Sequence, residues 1–341
     1  MTVPPCDRET GAGATGTSRD VARVSVVVPV YRGETTLAPL LEELVPLTTE
    51  RVTNRGTRFV VCEVVLVHDC GPDRSDRTIE ELAARHDFVR PVWLSRNYGQ
   101  HAATLAGMAG AVGDWVVTLD EDLQHDPQYI EAMLDMAVAN RLQVVYAKPI
   151  NAAPHGWLRN AASRVAKSIA NALVGEGETS HFSSFRLVDG EVARNLAAYC
   201  GSGVYLDVAM RWIVSRVQYC PLRLRAGMGR PSGYSFRRLA SHFSFLVLTA
   251  GARPLRAIVL MGLCSIALAF VIAMYAVYAK VTGRVPVQGW ASLVIVMAFF
   301  SGCILTALGV IAEYLALTMS IAMGKPLYVI STKPTRHGER S

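Results

Sequence analysis

The hydrophobic pattern over the first 150 residues switches repeatedly between two periods. Val24 to Val30 (V-S-V-V-V-P-V) is a continuous β-branched run, as expected of a parallel strand buried on both faces, and Leu37 to Leu47 then carries apolar residues at helical spacing. A second strand, Cys62 to Val67, runs into His68-Asp69-Cys70-Gly71-Pro72-Asp73, and a helix follows from about Asp76. A third, around Val92 to Leu94, leads through Ser95-Arg96-Asn97-Tyr98-Gly99-Gln100 into a small-residue helix from His101 to Ala111. The fourth, Trp115 to Leu119, ends in a knot of carboxylates, D-E-D-L-Q-H-D-P, whose proline opens the next helix. Further on, the pattern predicts a strand at Val144 to Tyr146, a helix at Trp157 to Leu173, a loop at Gly175 to Ser184, a strand at Phe185 to Leu187 and a helix at Gly190 to Tyr199. Alternation of this kind predicts a doubly wound, mostly parallel α/β sheet, and the polar residues after successive strands make one sheet edge a binding face.

Beyond residue 230 the pattern changes. Ser235 to Ala250 mixes arginines with Phe and Leu and reads as an amphipathic helix on a membrane surface. Ala257 to Ala279 and Val285 to Ala312 carry no charge, and each exceeds the roughly 20 residues that cross a bilayer core. Two transmembrane helices, at about 257–279 and 289–312, are therefore expected to form a hairpin. The implied division is a flexible tail at 1–23, an α/β domain at 24–230, a membrane-surface segment at 231–254, the hairpin at 255–318 and a tail at 319–341.

Charge orients this arrangement. The net charge is +6, and between Asp207 and Glu313 there is no carboxylate, while nine arginines lie from Arg211 to Arg256. A one-signed collar running into apolar spans suits phospholipid headgroups or a lipid-linked phosphate and argues against nucleic acid. The N-terminal residues have no apolar signal core, and the tail after the second span is basic, so both termini and the α/β domain are expected on the cytoplasmic side of an inner or plasma membrane. Gly11, Gly13 and Gly16 spell G-x-G-x-x-G without a preceding strand, and the seven cysteines never stand in C-x-x-C spacing, which predicts reduced thiols.

The candidate chemistry lies after the fourth strand. Asp120 and Asp122, one residue apart at a strand's C-terminal end, are hard oxygen donors suited to Mg²⁺ or Mn²⁺ carrying a diphosphate. A turn with an Asx cap is the plainer reading of an isolated D-x-D.

The order of V-S-V-V-V-P-V-Y, an acidic turn, R-N-Y-G-Q-H-A-A-T-L-A-G, D-E-D-L-Q-H-D-P, S-F-R-L and two spans closed by G-V-I-A-E-Y-L and K-P-L-Y-V-I carries a resemblance over residues 24 to 331. The chain resembles the family 2 glycosyltransferases that load a sugar onto polyprenyl phosphate: bactoprenol glucosyltransferases, undecaprenyl-phosphate aminoarabinose transferases and dolichol-phosphate mannose synthases. The resemblance implies a GT-A-type, Rossmann-like fold and an inverting transfer from a nucleotide-sugar, UDP-linked in preference to GDP-linked, onto polyprenyl phosphate for cell-envelope glycans. It implies that Pro29, Tyr31 and Glu34 line the nucleotide pocket, that Asp69 contacts the base, and that Asp120, Asp122 and Gln124 hold the metal. Arg186 would sit by the transferred sugar or acceptor phosphate, with Lys148, Arg230 and Arg237 as further cations for that phosphate. Homo-oligomerisation is a further expectation. The chain departs from the family pattern at Arg32, where asparagine is usual, at His68, which replaces the first Asp of a common pair, at Lys148, where relatives often carry arginine, and at Gly233-Tyr234-Ser235-Phe236-Arg237.

The residues support that chemistry independently. A divalent ion neutralises charge on a diphosphate leaving group, and a phosphate monoester with a second pKa of about 6 is dianionic enough to attack without a strong base. Two alternatives differ in class. A processive polysaccharide synthase should carry Q-x-x-R-W, but Arg211-Trp212 follows Val208-Ala209-Met210. A non-catalytic membrane-anchored nucleotide-sugar binder does not need an intact D-x-D.

Overall fold

Val24 to Val30 lies within β1 (Ala22–Val30), the centre of a sheet whose architecture follows the predicted alternation. A computed structural model of the chain describes residues 21–151, 183–201, 206–225, 289–324 and 326–332, with scattered positions between 262 and 282. The expected helices at 157–173 and 235–250 fall outside them, as do Arg230, Arg237 and most of the first span.

After β1 come α1 (Leu37–Leu44), extended by a 3₁₀ turn, then β2 (Arg51–Val52), β3 (Arg58–His68), α2 (Ser75–Arg85), β4 (Val89–Leu94), α3 (Gln100–Ala109) and β5 (Trp115–Thr118). The chain continues with α4 (Tyr129–Asn140), β6 (Val144–Pro149), β7 (Arg186–Asp189), α5 (Gly190–Tyr199), α6 (Leu206–Ile213), β8 (Val217–Leu222), α7 (Trp290–Ala322) and β9 (Ile330–Ser331). The strand order is β8-β6-β7-β5-β1-β3-β4-β9, with β2 paired to β3. Strands β5, β1, β3 and β4 are parallel, whereas β7 runs antiparallel to both β5 and β6, and β9 antiparallel to β4. The sheet is therefore mixed and mostly parallel.

Alternation along β1 divides the core. Val24, Val26, Val28 and Val30 face a layer containing Leu37, Leu41 and Leu44 of α1, Ile79 of α2 and Met133 and Leu134 of α4. Val27 faces the other layer, with Ala103 and Met108 of α3, Val192 and Leu196 of α5 and Met210 of α6. The small residues of α3 let it approach closely: a Cβ on Gly107 would fall 2.3 Å from Val27 Cγ1. At the edge of the sheet where β1 begins, buried Glu63 accepts from Ser25 Oγ (2.6 Å), Val112 N (2.8 Å) and Arg90 Nε (2.8 Å). Burial alone would raise its pKa, but Ser25, Arg90 and Val112 hold it below the ordinary value. That edge is fully satisfied and structural.

Two features bear on the C-terminal part of the chain. Among the described residues one helix is long and apolar enough to cross a membrane, α7, through Phe299–Ala316 at mean hydropathy 1.7. It covers the second expected span and leaves Leu305 and Leu315 bare, 69% and 65% exposed. The tail beyond it does not stand apart from the sheet, because Leu327 and Tyr328 pack on the α3 layer and Ile330–Ser331 pair with Leu94 and Trp93.

Candidate active site

The topology fixes where a ligand can enter. The chain builds outward from β1 to β3 and β4, then returns to place β5 on the other side of β1, so the switch point of the sheet lies between β1 and β5. The β1–β5 ladder ends at Val27 and Thr118. Val27 O accepts from Leu119 N (3.0 Å), so residue 27 points its backbone groups at β5, and by alternation so does residue 29. That residue is Pro29, which has no N–H to offer. A proline is tolerated in this central strand because the ladder has already ended, at the position where open α/β sheets carry their ligand crevice.

Carboxylates brace the loops around the crevice. Glu121 accepts from Tyr31 N (3.1 Å) and Arg32 N (2.9 Å), locking the β1–α1 loop to the turn after β5. Asp69, 3% exposed, accepts from Tyr98 N (2.7 Å) at one oxygen and Gly99 N (2.8 Å) at the other, while its carbonyl takes Asn97 Nδ2 (3.1 Å). Burial pushes its carboxyl up to about 6 despite those two amides. Gly99 turns into α3 at φ +92°, and Gly71 lies so close to β1 that a Cβ would fall 1.6 Å from Tyr31 O.

The D-x-D turn hangs between these braces. Asp120 Oδ1 accepts from Gln100 Nε2 (2.6 Å) and Oδ2 from Ser184 Oγ, with His125 Nδ1 3.8 Å away. Burial raises the Asp120 pKa, opposed by His125, Ser184 and Arg186. Leu123 takes a left-handed φ of +63°, strained for a leucine, and Asp122 Oδ1 accepts from Gln124 N (3.1 Å). Asp122 Oδ2 has no hydrogen-bond or ion-pair partner among the described residues. Arg225, just past β8, clamps the end of the turn: Nη2 meets Asp126 at 2.7 Å, Nη1 meets Glu43 at 2.6 Å, and its backbone N donates to Gln124 O at 3.0 Å.

These residues fit a divalent cation. Two carboxylates and the Gln124 amide are hard oxygen donors, and Asp122 Oδ2 meets no donor among the described residues. Among the described residues no group of three His, Cys, Asp or Glu could hold a metal alone.

Arg186 has different surroundings. It is 3% exposed and its Nη1 pairs with Asp207 of α6, itself 2% exposed. Tyr146 OH donates to the same Asp207 oxygen (3.0 Å), and the guanidinium lies 5.7 Å from the Tyr146 ring centroid. Burial pushes the Asp207 carboxyl up, against Arg186 and Tyr146, which pull it down. Lys148, half-buried on β6, holds Nζ 5.8 Å from the Tyr219 ring centroid. Tyr31 is exposed, with its backbone held by Glu121, and Glu34 accepts from Arg74 N (3.1 Å). The structure thus gathers Pro29, Tyr31, Asp69, Asp120, Asp122 and Gln124 around one crevice and sets Arg186 in a buried ion pair beside it.

Sequence reasoning missed Glu121, Gln100, Ser184 and Asp207, and took Arg225 for one cation of the basic collar, where the structure pairs it with Glu43 and Asp126. Glu121 was in view within the acidic knot, but one acid in such a knot looks like another. The rest lie 20 to 182 residues from the groups they hold.

The family model for glycosyl transferase family 2 matches residues 25–201 of the 341, from β1 to the end of α5. A curated relative, undecaprenyl-phosphate 4-deoxy-4-formamido-L-arabinose transferase of Edwardsiella ictaluri, is 27% identical over 310 residues, covering 90% of this chain and 93% of the relative. A protein named as putative glycosyltransferases from Mycobacterium tuberculosis is 24% identical over 268 residues, covering 79% and 78%. Among solved structures, glucosyl-3-phosphoglycerate synthase from Mycobacterium tuberculosis is 19% identical with a TM-score of 0.47, covering 68% of this chain and 78% of that one. With the model spanning more than half of the sequence, the chain belongs to glycosyl transferase family 2.

Proposed function

We propose that this protein transfers a sugar from a nucleotide-sugar, UDP-linked first, to polyprenyl phosphate at the cytoplasmic face of a membrane, with inversion at the anomeric carbon. The observation that carries the reading is Asp122 Oδ2, a carboxylate oxygen without a partner among the described residues, on a braced turn at the switch point of the sheet. The acceptor half rests on a relative named for undecaprenyl phosphate and aligned over 90% of this chain.

In this reading Pro29 and Tyr31 line one wall of the donor crevice and Glu34 its rim, while Asp69 shapes the wall near the base through the amides it holds. Asp120 and Asp122, with Gln124, would hold Mg²⁺ or Mn²⁺, which supplies charge neutralisation on the diphosphate leaving group. Gln100 and Ser184 orient Asp120, so that its oxygens are fixed before substrate arrives. The acceptor phosphate oxygen forms the new bond to the anomeric carbon as the bond from that carbon to the nucleotide diphosphate breaks; the attacking dianion carries no proton to remove. Arg186 acts as a positioning residue, holding α6 to the sheet through Asp207 and lending its charge to the Asp120 side of the crevice. Lys148, Arg230 and Arg237 remain the proposed cations for the acceptor phosphate.

The membrane arrangement belongs to the same proposal. Helix α7 and the apolar stretch at 257–279 form a hairpin with both termini cytoplasmic. From Ala322 at the end of α7 to Leu327 against the core there are five residues, at most about 18 Å of chain, so a span ending at α7 keeps the crevice near the headgroups. Membranes carrying the protein, incubated with polyprenyl phosphate and a panel of UDP- and GDP-sugars, test the reading by mass detection of the lipid product. A product formed without polyprenyl phosphate, or none from any donor, refutes it.

A further inference from the structure

We infer that the segment after α7, Leu327–Ser331, is a positioning element of the donor crevice, acting through the loop between β4 and α3. The inference rests on the reading of that crevice as the donor site.

The path is continuous. Ile330 and Ser331 pair antiparallel with Leu94 and Trp93, and Ser95 N donates to Val329 O at 2.9 Å, so the last ladder bond of β4 is supplied by the tail. Ser95 Oγ lies 2.9 Å from Tyr98 OH. Tyr98 and Gly99 give their amides to the two oxygens of Asp69, and the next residue, Gln100, reaches Asp120 Oδ1. One side of the crevice therefore hangs from a loop whose first residue is held by the tail. Two paired residues make a marginal strand, so β9 needs an anchor. Leu327 and Tyr328 provide it, packed with Tyr98 against the α3 layer. Without this segment β4 would be an open sheet edge, and Ser95 N would lose its partner.

The consequence is that the α/β domain up to residue 230 is incomplete. Its last strand arrives only after the chain has run through the second apolar stretch, so the state of α7 and the order of the donor loop are linked.

The test uses the full chain in detergent or nanodiscs. Opposite Ser95 in the antiparallel register stands Val329, whose carbonyl takes Ser95 N, so Val329→Pro removes the N–H of that hydrogen-bonded pair while leaving the spans intact, and Ser95→Ala keeps β9 but cuts the link to Tyr98. UDP with Mn²⁺ is the probe, read by calorimetry, with hydrogen exchange followed by mass spectrometry over peptide 93–100. Val329→Pro is expected to weaken UDP binding about tenfold and to speed exchange at Ser95, Tyr98 and Gly99, and Ser95→Ala to weaken binding severalfold. A synthetic peptide of residues 326–333 added to a chain ending at Gly324 should restore both readouts, and the same peptide with proline at 329 should not. Unchanged UDP affinity and unchanged exchange in Val329→Pro overturn the inference; if that variant does not fold, unchanged affinity in Ser95→Ala overturns it. A wild-type chain that binds no UDP or GDP refutes the donor-site reading instead, and the exchange arm still reports whether the tail orders the loop.

Discussion

Replacing Arg186 with alanine separates two roles that a sequence motif cannot. Arg186 and Asp207 are 3% and 2% exposed, and the substitution strands a buried carboxylate whose only other described hydrogen-bond partner is Tyr146 OH. Breaking a buried pair from one side costs about 3 to 5 kcal/mol, because the remaining charge stays desolvated. For a domain of this size each kcal/mol moves the melting temperature by about 2 to 4 °C, so Arg186→Ala should melt some 6 to 20 °C below wild type. Turnover should fall with it. The decisive partner is the double variant Arg186→Met, Asp207→Asn: it removes both charges, keeps volume, and leaves an amide oxygen for Tyr146 OH. Stability should largely return, since neutral replacement of a buried pair costs little. The assay is calorimetric melting beside steady-state transfer to polyprenyl phosphate. If turnover returns with stability, Arg186 works by holding α6. A double variant that melts normally but does not turn over would show that the guanidinium itself meets substrate, and an Arg186→Ala protein that melts within about 2 °C of wild type would refute the buried-pair account altogether.

Other outcomes follow from the crevice. Asp122→Asn should abolish transfer with melting unchanged, because it keeps the turn and removes the charge that would hold the metal; wild-type turnover by this variant, or in excess chelator, refutes the metal reading. With its carboxyl at about 6, Asp69 holds its proton more tightly folded than unfolded between roughly pH 4 and 6, so the stability it contributes is lost as pH rises through that window. Donor KM should rise as pH falls below about 6, since protonating either oxygen weakens the bond it accepts from Tyr98 N or Gly99 N, and the inflection should vanish in Asp69→Asn; an unchanged profile in that variant removes Asp69 from the account. Arg225→Gln should raise donor KM severalfold with little effect on melting, as its ion pairs are exposed and worth about 1 kcal/mol or less each; equal donor KM in variant and wild type would make the clamp ornamental. Proton NMR of the product should show inverted anomeric configuration, and retention rules out a single displacement.

Much of the fold was legible because parallel strands buried on both faces cannot hide: V-S-V-V-V-P-V has no polar side and can only be central. The acidic turn stood out for the opposite reason, since carboxylates directly after such a strand call for partners. What escaped notice was long-range. β9 is two residues with no periodicity, and nothing in V-I-S says that it will close the edge of β4. β8 contains Pro221, which reads as a strand breaker but sits without penalty on the outermost strand. Arg186 was visible in S-F-R-L, yet its partner Asp207 lies 21 residues away on a helix that the pattern did not announce. A motif shows that a charge is present; only the fold shows whether that charge is already answered.

That distinction orders the acidic residues around the crevice. Asp69 and Glu121 are occupied by backbone amides, Asp126 by Arg225, and Asp120 by Gln100 and Ser184. In sequence all of them look like equal candidates for a cation. In the fold the first three serve as struts, converting carboxylate charge into loop rigidity, because each accepts two or more donors that would otherwise be satisfied by water. Under the proposed reading rigidity is what the remaining pair requires, since a metal with few protein ligands would be positioned only as well as the turn that carries them. The strained φ of Leu123 points the same way, since a turn that stores strain must be held by its surroundings. The acids of D-E-D-L-Q-H-D thus divide their labour, with Glu121 and Asp126 bracing the turn that carries Asp120 and Asp122.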